Sequence, residues 1–255
     1  MKIYIPTLGR VGKQIALSCI PKSWKDRTYI VCPKEEEHAW DNIINVPDSC
    51  VGSISKTRQW ICENSNDPHV AMIDDDVKFY IREIKNGIPK LFLCSPKQVA
   101  DVFGLMQFWL ESGDVFCGTS NSFRFQDRPE EYFYGKPSHC FFLNRDYMKK
   151  KNIRYDVLRY YSDFHVPLSI VESGKRLHYT GKYISKEFKP NAPGGCSISR
   201  TAERNRNSLL KLTRLHLPYI KLKEDPEGKN QTLRIGLKMR IAFKRMYDEN
   251  VLKGK

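Results

Sequence analysis

The 255-residue chain is short of several things that whole functional classes require. It has no Cys-x-x-Cys pair. Its eight cysteines (Cys19, Cys32, Cys50, Cys62, Cys94, Cys117, Cys140 and Cys196) are scattered, which argues against a structural zinc site. No apolar run approaches the ~20 residues of a membrane helix, and MKIYIPTLGR holds too little apolar length for a signal peptide. The expectation is a cytoplasmic protein with no membrane partner and reduced thiols. There is no internal repeat and no low-complexity tract. With 40% hydrophobic and 12% aromatic residues, the composition excludes a disordered chain. Acid is scarce beside base, 29 Asp+Glu against 43 Lys+Arg, a formal net charge of +14. That total fits either a polyanionic partner such as nucleic acid or a merely basic soluble protein.

The first hundred residues alternate between the two periodicities. KIYIP, TYIVC, INV and VAMI read as strands; VGKQIALSCI, EEEHAWDNI and ISKTRQWICENS read as helices. That alternation predicts a parallel α/β sheet, with the wholly apolar VAMI as a central strand buried on both faces. VKFYIREI and PKLFLC flank Asn86-Gly87, a hairpin signal. A helix (SPKQVADVFGLMQFWLESG), the strand VFCGTS, a long polar loop, the strand CFFLN and the helix DFHVPLSIVESG follow. KEFKPNAPGGCSISR should be loop. Positive charge is then concentrated in the last quarter, at Arg200, Arg204, Arg206, Lys211 and Arg214 and again at Arg234, Lys238, Arg240, Lys244 and Arg245. The run is long, helical in pattern and one-sided, so a polyanion contact is preferred to a simply solvated face.

The stretch that invites chemistry is VAMIDDDVKFY. Asp74, Asp75 and Asp76 end the central strand, and parallel α/β sheets bind ligands at the carboxyl ends of their strands. Adjacent carboxylates repel, so something positive belongs there. A hard divalent cation bridging carboxylates to phosphate oxygens, Mg2+ or Mn2+, would answer this. An acidic turn before a hairpin is the plain alternative.

The order of these features, hhhh-DDD after a nucleotide-binding-like αβ half and before a hairpin, resembles the GT-A fold of nucleotide-sugar glycosyltransferases. The resemblance implies a Rossmann-type mixed sheet flanked by helices over residues 1–198, with a basic helical extension over 199–255. It implies Asp76 as a metal ligand, Asp74 at the ribose or sugar, and Asp75 on the donor side without an assigned role. It further implies Lys56 or Arg58 facing the donor, although both read equally as first-turn helix charges, and Pro6, Thr7 and Arg10 near the nucleoside. Gly135-Lys136-Pro137-Ser138 would be the family's glycine loop. Tyr155-Asp156 occupies the family's short "fd" place. Asp163 would be the general base of an inverting transfer or, on the bare reading, the N-cap of its helix; Ser162 departs from the family's usual Glu there. A late histidine often joins the metal, with His178 the better candidate and His165 its competitor.

Within the superfamily, IYIPTLGR…SKTRQW…IDDD…GGCSISR looks most like the phage and TET-associated glycosyltransferases of hydroxymethylated DNA bases. The implied partners are a UDP-sugar donor and a DNA acceptor, in a host cytoplasm if phage-encoded. Arg200, Arg204, Arg206, Lys238 and Arg240 would lie on the backbone phosphates. Three rivals stay open: a glycosyltransferase with a protein or glycan acceptor, a nucleic-acid-binding module with a structural Asp cluster, and a nucleotidyltransferase, which the hairpin and late acidic helix fit less well.

Overall fold

The computed structural model describes residues 1–121, 126, 129–135, 139–188, 201–223, 234–236 and 239–254, the side chains of 221–241 excepted. A ten-stranded mixed sheet runs in the order β3-β2-β1-β4-β9-β7-β10-β5-β6, with β8 on β10. Its first half is parallel: β1 (Lys2–Pro6), β2 (Thr28–Cys32), β3 (Ile43–Asn45) and β4 (His69–Ile73). In the second half β9 (Cys140–Asn144) lies antiparallel between β4 and β7 (Phe116–Ser120). β10 (His178–Glu187) starts parallel to β7, shifts register between Thr180 and Ile184, and continues antiparallel to β5 (Val77–Lys85). β5 turns into β6 (Ile88–Leu93) at Asn86 and Gly87, both with positive φ, as the Asn-Gly signal predicts. β8 is the short pair Glu131–Tyr132.

VAMI is central, as its unbroken apolarity predicts, because both sheet faces are covered. Alternate residues feed two cores. Tyr4, Val70, Met72 and Phe141 join the core that also holds Ile61 of α3 (Ile54–Asn64), Val166 and Leu168 of α6 (Ser162–Glu172), Leu212 of α7 (Ala202–Leu215) and Phe243 of α8 (Met239–Tyr247). Ile3, Ile5, Ala71 and Ile73 join Ala16 of α1 (Ile15–Cys19), Trp24 of α2 (Lys22–Lys25) and Phe103 and Met106 of α4 (Pro96–Glu111). A short helix α5 (Arg145–Lys150) follows β9. Of the seven described cysteines Cys32, Cys50, Cys117 and Cys140 are buried, and none is in a disulfide. Among the described residues no helix is long and apolar enough to cross a membrane.

Two helices differ from the sequence reading. VGKQIALSCI is helical only over Ile15–Cys19, because the chain first turns through Gly9 and Gly12, both at positive φ, and the Gln14 side-chain amide donates to the Arg10 carbonyl. EEEHAWDNI forms no helix. Its polar side chains serve the neighbouring loop instead: Glu36 accepts from the Gly9 amide at 2.7 Å, and His38 meets both Gln14 and Glu36 at 3.1 Å. KEF of the expected loop begins earlier as strand, since Lys186 and Glu187 close β10; residues 189–200 lie outside the described residues.

Candidate active site

β1 pairs with β2 on one side and with β4 on the other, so the sheet's switch point lies between the carboxyl ends of β1 and β4. The three aspartates stand at the end of β4, and Thr7 and Arg10 stand just beyond β1. The like-charge problem is met by side chains of this chain. Arg10 Nη1 donates to Asp75 at 2.5 Å and to Asp76 at 2.7 Å, and Thr7 Oγ1 donates to the other Asp75 oxygen at 2.5 Å. Arg58 Nη2 donates to Asp74 at 2.6 Å, and His139 Nδ1 lies 3.0 Å from its second oxygen.

The environments separate the carboxylates. Burial alone would push Asp74 up, yet the Arg58 guanidinium and His139 overcome it and hold its carboxyl at about 2. Asp75, 6% exposed, is pushed up to about 6 by burial, with Asp76 and Asp74 adding to the rise and Thr7 and Arg10 opposing it. Asp75 therefore anchors the turn after β1, and its own carbonyl accepts from the Ala16 amide at 3.0 Å.

α3 supplies the second wall. Ser53 caps it by accepting from the Lys56 amide. Of the two basic candidates, Lys56 is exposed and its Nζ donates to the Ser49 carbonyl at 3.1 Å, while Arg58 is buried, packs over the Phe141 ring at 5.2 Å and reaches Asp74. Ser55 ties α3 to the start of α6, its hydroxyl donating to the Arg159 carbonyl at 2.9 Å and to Ser162 Oγ at 3.0 Å. The same junction carries Asp163, half-buried in the first turn of α6; the N-cap position itself is Tyr161. Beneath them lies Tyr155, fully buried. Its hydroxyl has no hydrogen-bond partner among the described residues, and its phenol is raised by burial and feels the charges of Arg58, Asp163 and Asp74. The fold thus gathers Thr7, Arg10, Arg58, Asp74, Asp75, Asp76 and Asp163 at one end of the sheet, with Pro6 closing β1 beside them.

It does not bring the histidine candidates there. His178 pairs in register with Cys117, which faces Phe142, which faces Ala71. It is three strands across and three residues down from Asp74, on the order of 15 Å away. It stacks on Trp109 with ring centroids 3.6 Å apart, and its two nitrogens meet Asp114 at 2.6 Å and Glu131 at 3.1 Å. His165 Nδ1 meets His216 Nε2 at 2.8 Å, away from the aspartates. Arg204 and Arg206 are exposed on α7. Arg200 and Lys238 lie outside the described residues, as do Lys136, Pro137 and Ser138 of the glycine loop and the side chain of Arg240.

His139 was not singled out by the sequence. Its signal was the register: β9 runs antiparallel to β4, so the residue before Cys140 lies across from the residue after Ile73, and the Asp74 amide donates to the His139 carbonyl at 2.8 Å. Glu187, at the end of β10, stands 3.6 Å from His139. Glu36, His38 and Gln14, read as part of two helices, instead line the loop beyond β1.

The mixed sheet covered on both faces, with its acidic cluster at the β1/β4 switch point, has the GT-A glycosyltransferase fold. S. aureus TarS 1-349 in complex with UDP shares that fold, with a TM-score of 0.52 and 9% identity over 98% of this chain and 70% of that one. In sequence the chain is similar to the Beta-glucosyl-HMC-alpha-glucosyl-transferases of Enterobacteria phages T6 and T2, 23% identical to each over 234 residues, 84% of this chain and 80% of theirs. No family model matches it.

Proposed function

We propose that this chain is a glycosyltransferase that moves a sugar, glucose by preference, from a UDP-sugar to a hydroxyl on a modified pyrimidine of DNA. The observation that carries the reading is the Asp74–Asp76 cluster at the switch point, flanked by Arg10 and Arg58, in a chain similar along 84% of its length to phage transferases of that name. The acceptor hydroxyl would sit on 5-hydroxymethylcytosine or, following the relatives' name, on a sugar already attached to it. Residues 199–255 would act as a basic extension of the 1–198 domain, with Arg204 and Arg206 on phosphates and base pairs unread. The acceptor could require extrusion from the duplex.

Pro6, Thr7 and Arg10 would border the nucleoside, and Asp74, oriented by Arg58 and His139, the ribose or sugar. Among the described residues no three metal-ligating side chains converge. Asp74 and Asp75 are each met through both carboxylate oxygens, whereas Asp76 is met by Arg10 through Oδ2, so Asp76 would be the carboxylate best suited to Mn2+ or Mg2+, the diphosphate and water completing the shell. That donor set fits a hard cation bound through one or two carboxylates and substrate phosphates. Such an ion would neutralise charge on the departing diphosphate, and Arg58 would support Asp74 through that change. His178 and His165, each engaged elsewhere, are left out of the metal set.

Asp163 would accept the acceptor's proton, which makes the transfer inverting. The relatives' name holds both a beta-glucosyl and an alpha-glucosyl group, so the product's anomeric configuration is what separates the two stereochemical readings. An α-glucosyl product from an α-linked donor is retention, and Asp163 would then stabilise charge and not accept the proton. Incubation with Mn2+, hydroxymethylated and glucosylated DNA and a panel of nucleotide sugars, followed by mass spectrometry of the nucleosides, should show one added hexose. No added mass with any donor overturns the reading. The anomeric coupling constant of the product assigns Asp163.

A further inference from the structure

The turn that launches α6 is strained and is held from outside. Tyr161 has φ 66° and ψ 17°, left-handed backbone that a non-glycine residue adopts at a cost of about 1 kcal/mol. Its carbonyl accepts the first helical hydrogen bonds, from Phe164 at 3.0 Å and His165 at 2.9 Å. The conformation of Tyr161 therefore fixes where the first turn begins, and Asp163 is two residues along. Ser162, between them, is hooked to α3 through Ser55. What holds Tyr161 itself is α7: its hydroxyl donates to Asn205 Oδ1 at 2.9 Å. The far end of the same helix returns to α6 through His216, which meets His165 at 2.8 Å and Glu172 at 3.0 Å. Asn205 lies between Arg204 and Arg206, both exposed.

We infer that Tyr161 and Asn205 are a positioning pair: the basic helix α7 holds the strained turn that sets Asp163, and so governs turnover as well as facing the acceptor. This rests on the proposed role of Asp163. A ring docked by one hydroxyl to the first turn of a neighbouring helix adds little to a core that already contains Leu209 and Leu212 of that helix. It does constrain a reacting carboxylate, where a displacement of an ångström costs far more in rate than in stability.

The test compares Tyr161→Phe, Asn205→Leu, the double variant and Asn205→Asp, which keeps the accepting oxygen. The measurements are kcat, KM for the UDP-sugar, UDP affinity by calorimetry and Tm. Tyr161→Phe and Asn205→Leu should each lower kcat about tenfold, with KM and UDP affinity within about twofold of wild type. The double variant should fall no further, and Asn205→Asp should recover most of the lost kcat. Wild-type kcat in Tyr161→Phe, losses that multiply in the double variant, or a fall in UDP affinity matching the fall in kcat would each overturn the pair. Wild-type protein that transfers no sugar overturns the glycosyltransferase reading, and the inference falls with it.

Discussion

Arg58 carries the most consequence of any single side chain. It is 6% exposed and its guanidinium lies against Asp74, on the carboxylate oxygen opposite the one that meets His139. Arg58→Met would strip Asp74 of its guanidinium partner and should cost about 3 kcal/mol in a denaturant melt, with loss of transfer. It should also erase the rise in stability with pH between about 2 and the ordinary carboxylate range, since Asp74 would no longer be held at about 2. Asp75 has the opposite sign. Held up at about 6, it keeps its proton in the fold while the unfolded chain loses it, so stability should fall as pH rises from about 4 to 6. Between about pH 4 and 6 the stability of Asp75→Asn should rise relative to the native protein, by roughly 2 kcal/mol, read from Tm measured against pH for the pair. The acidic run and the need for a counter-charge were legible in the sequence. That the counter-charge is Arg10 and Arg58 depends on which ends of β1 and α3 face β4, and adjacency in the chain does not carry that information.

At the scale of elements, the parallel half of the sheet was legible because each strand is followed by a helix or turn of the right length. The antiparallel entry of β9 was not. CFFLN reads the same in either direction, and its direction is what brings His139 to Asp74. The α3–α6 junction was likewise hidden, because Ser55 and Ser162 are 107 residues apart. Ser55→Ala should destabilise by about 1 kcal/mol, measured in urea, by leaving the Arg159 carbonyl and Ser162 unmet. α6 also carries a titration that opposes Asp75. Burial, His216 and Lys211 hold His165 down at about 4, so the unfolded chain takes up its proton first on acidification. Stability should therefore rise with pH between about 4 and 6.5, and a pH series on His165→Gln should lose that component.

For the whole molecule, the excess of base over acid was visible at once, and its use follows from where it is placed. If α7 meets DNA phosphates, affinity should fall steeply with salt. Arg204→Gln with Arg206→Gln should flatten the log–log slope by about 2, measured by anisotropy across a salt series. An unchanged slope would place the acceptor elsewhere. Chelation asks whether the arginines suffice without a metal. Transfer should stop in EDTA and return with Mn2+, and full turnover in EDTA would assign the diphosphate's charge to Arg10 and Arg58 alone.

The buried thiols of the central strands give the molecule a clock. Burial pushes the Cys117 and Cys140 thiols well above their ordinary range, so at neutral pH neither presents a thiolate to solvent. An alkylating reagent can reach them only when the central strands β7 and β9 part. Its rate of incorporation, read peptide by peptide, therefore times the opening of the sheet beneath the aspartates, and a bound donor that bridges β1 and β4 should slow it.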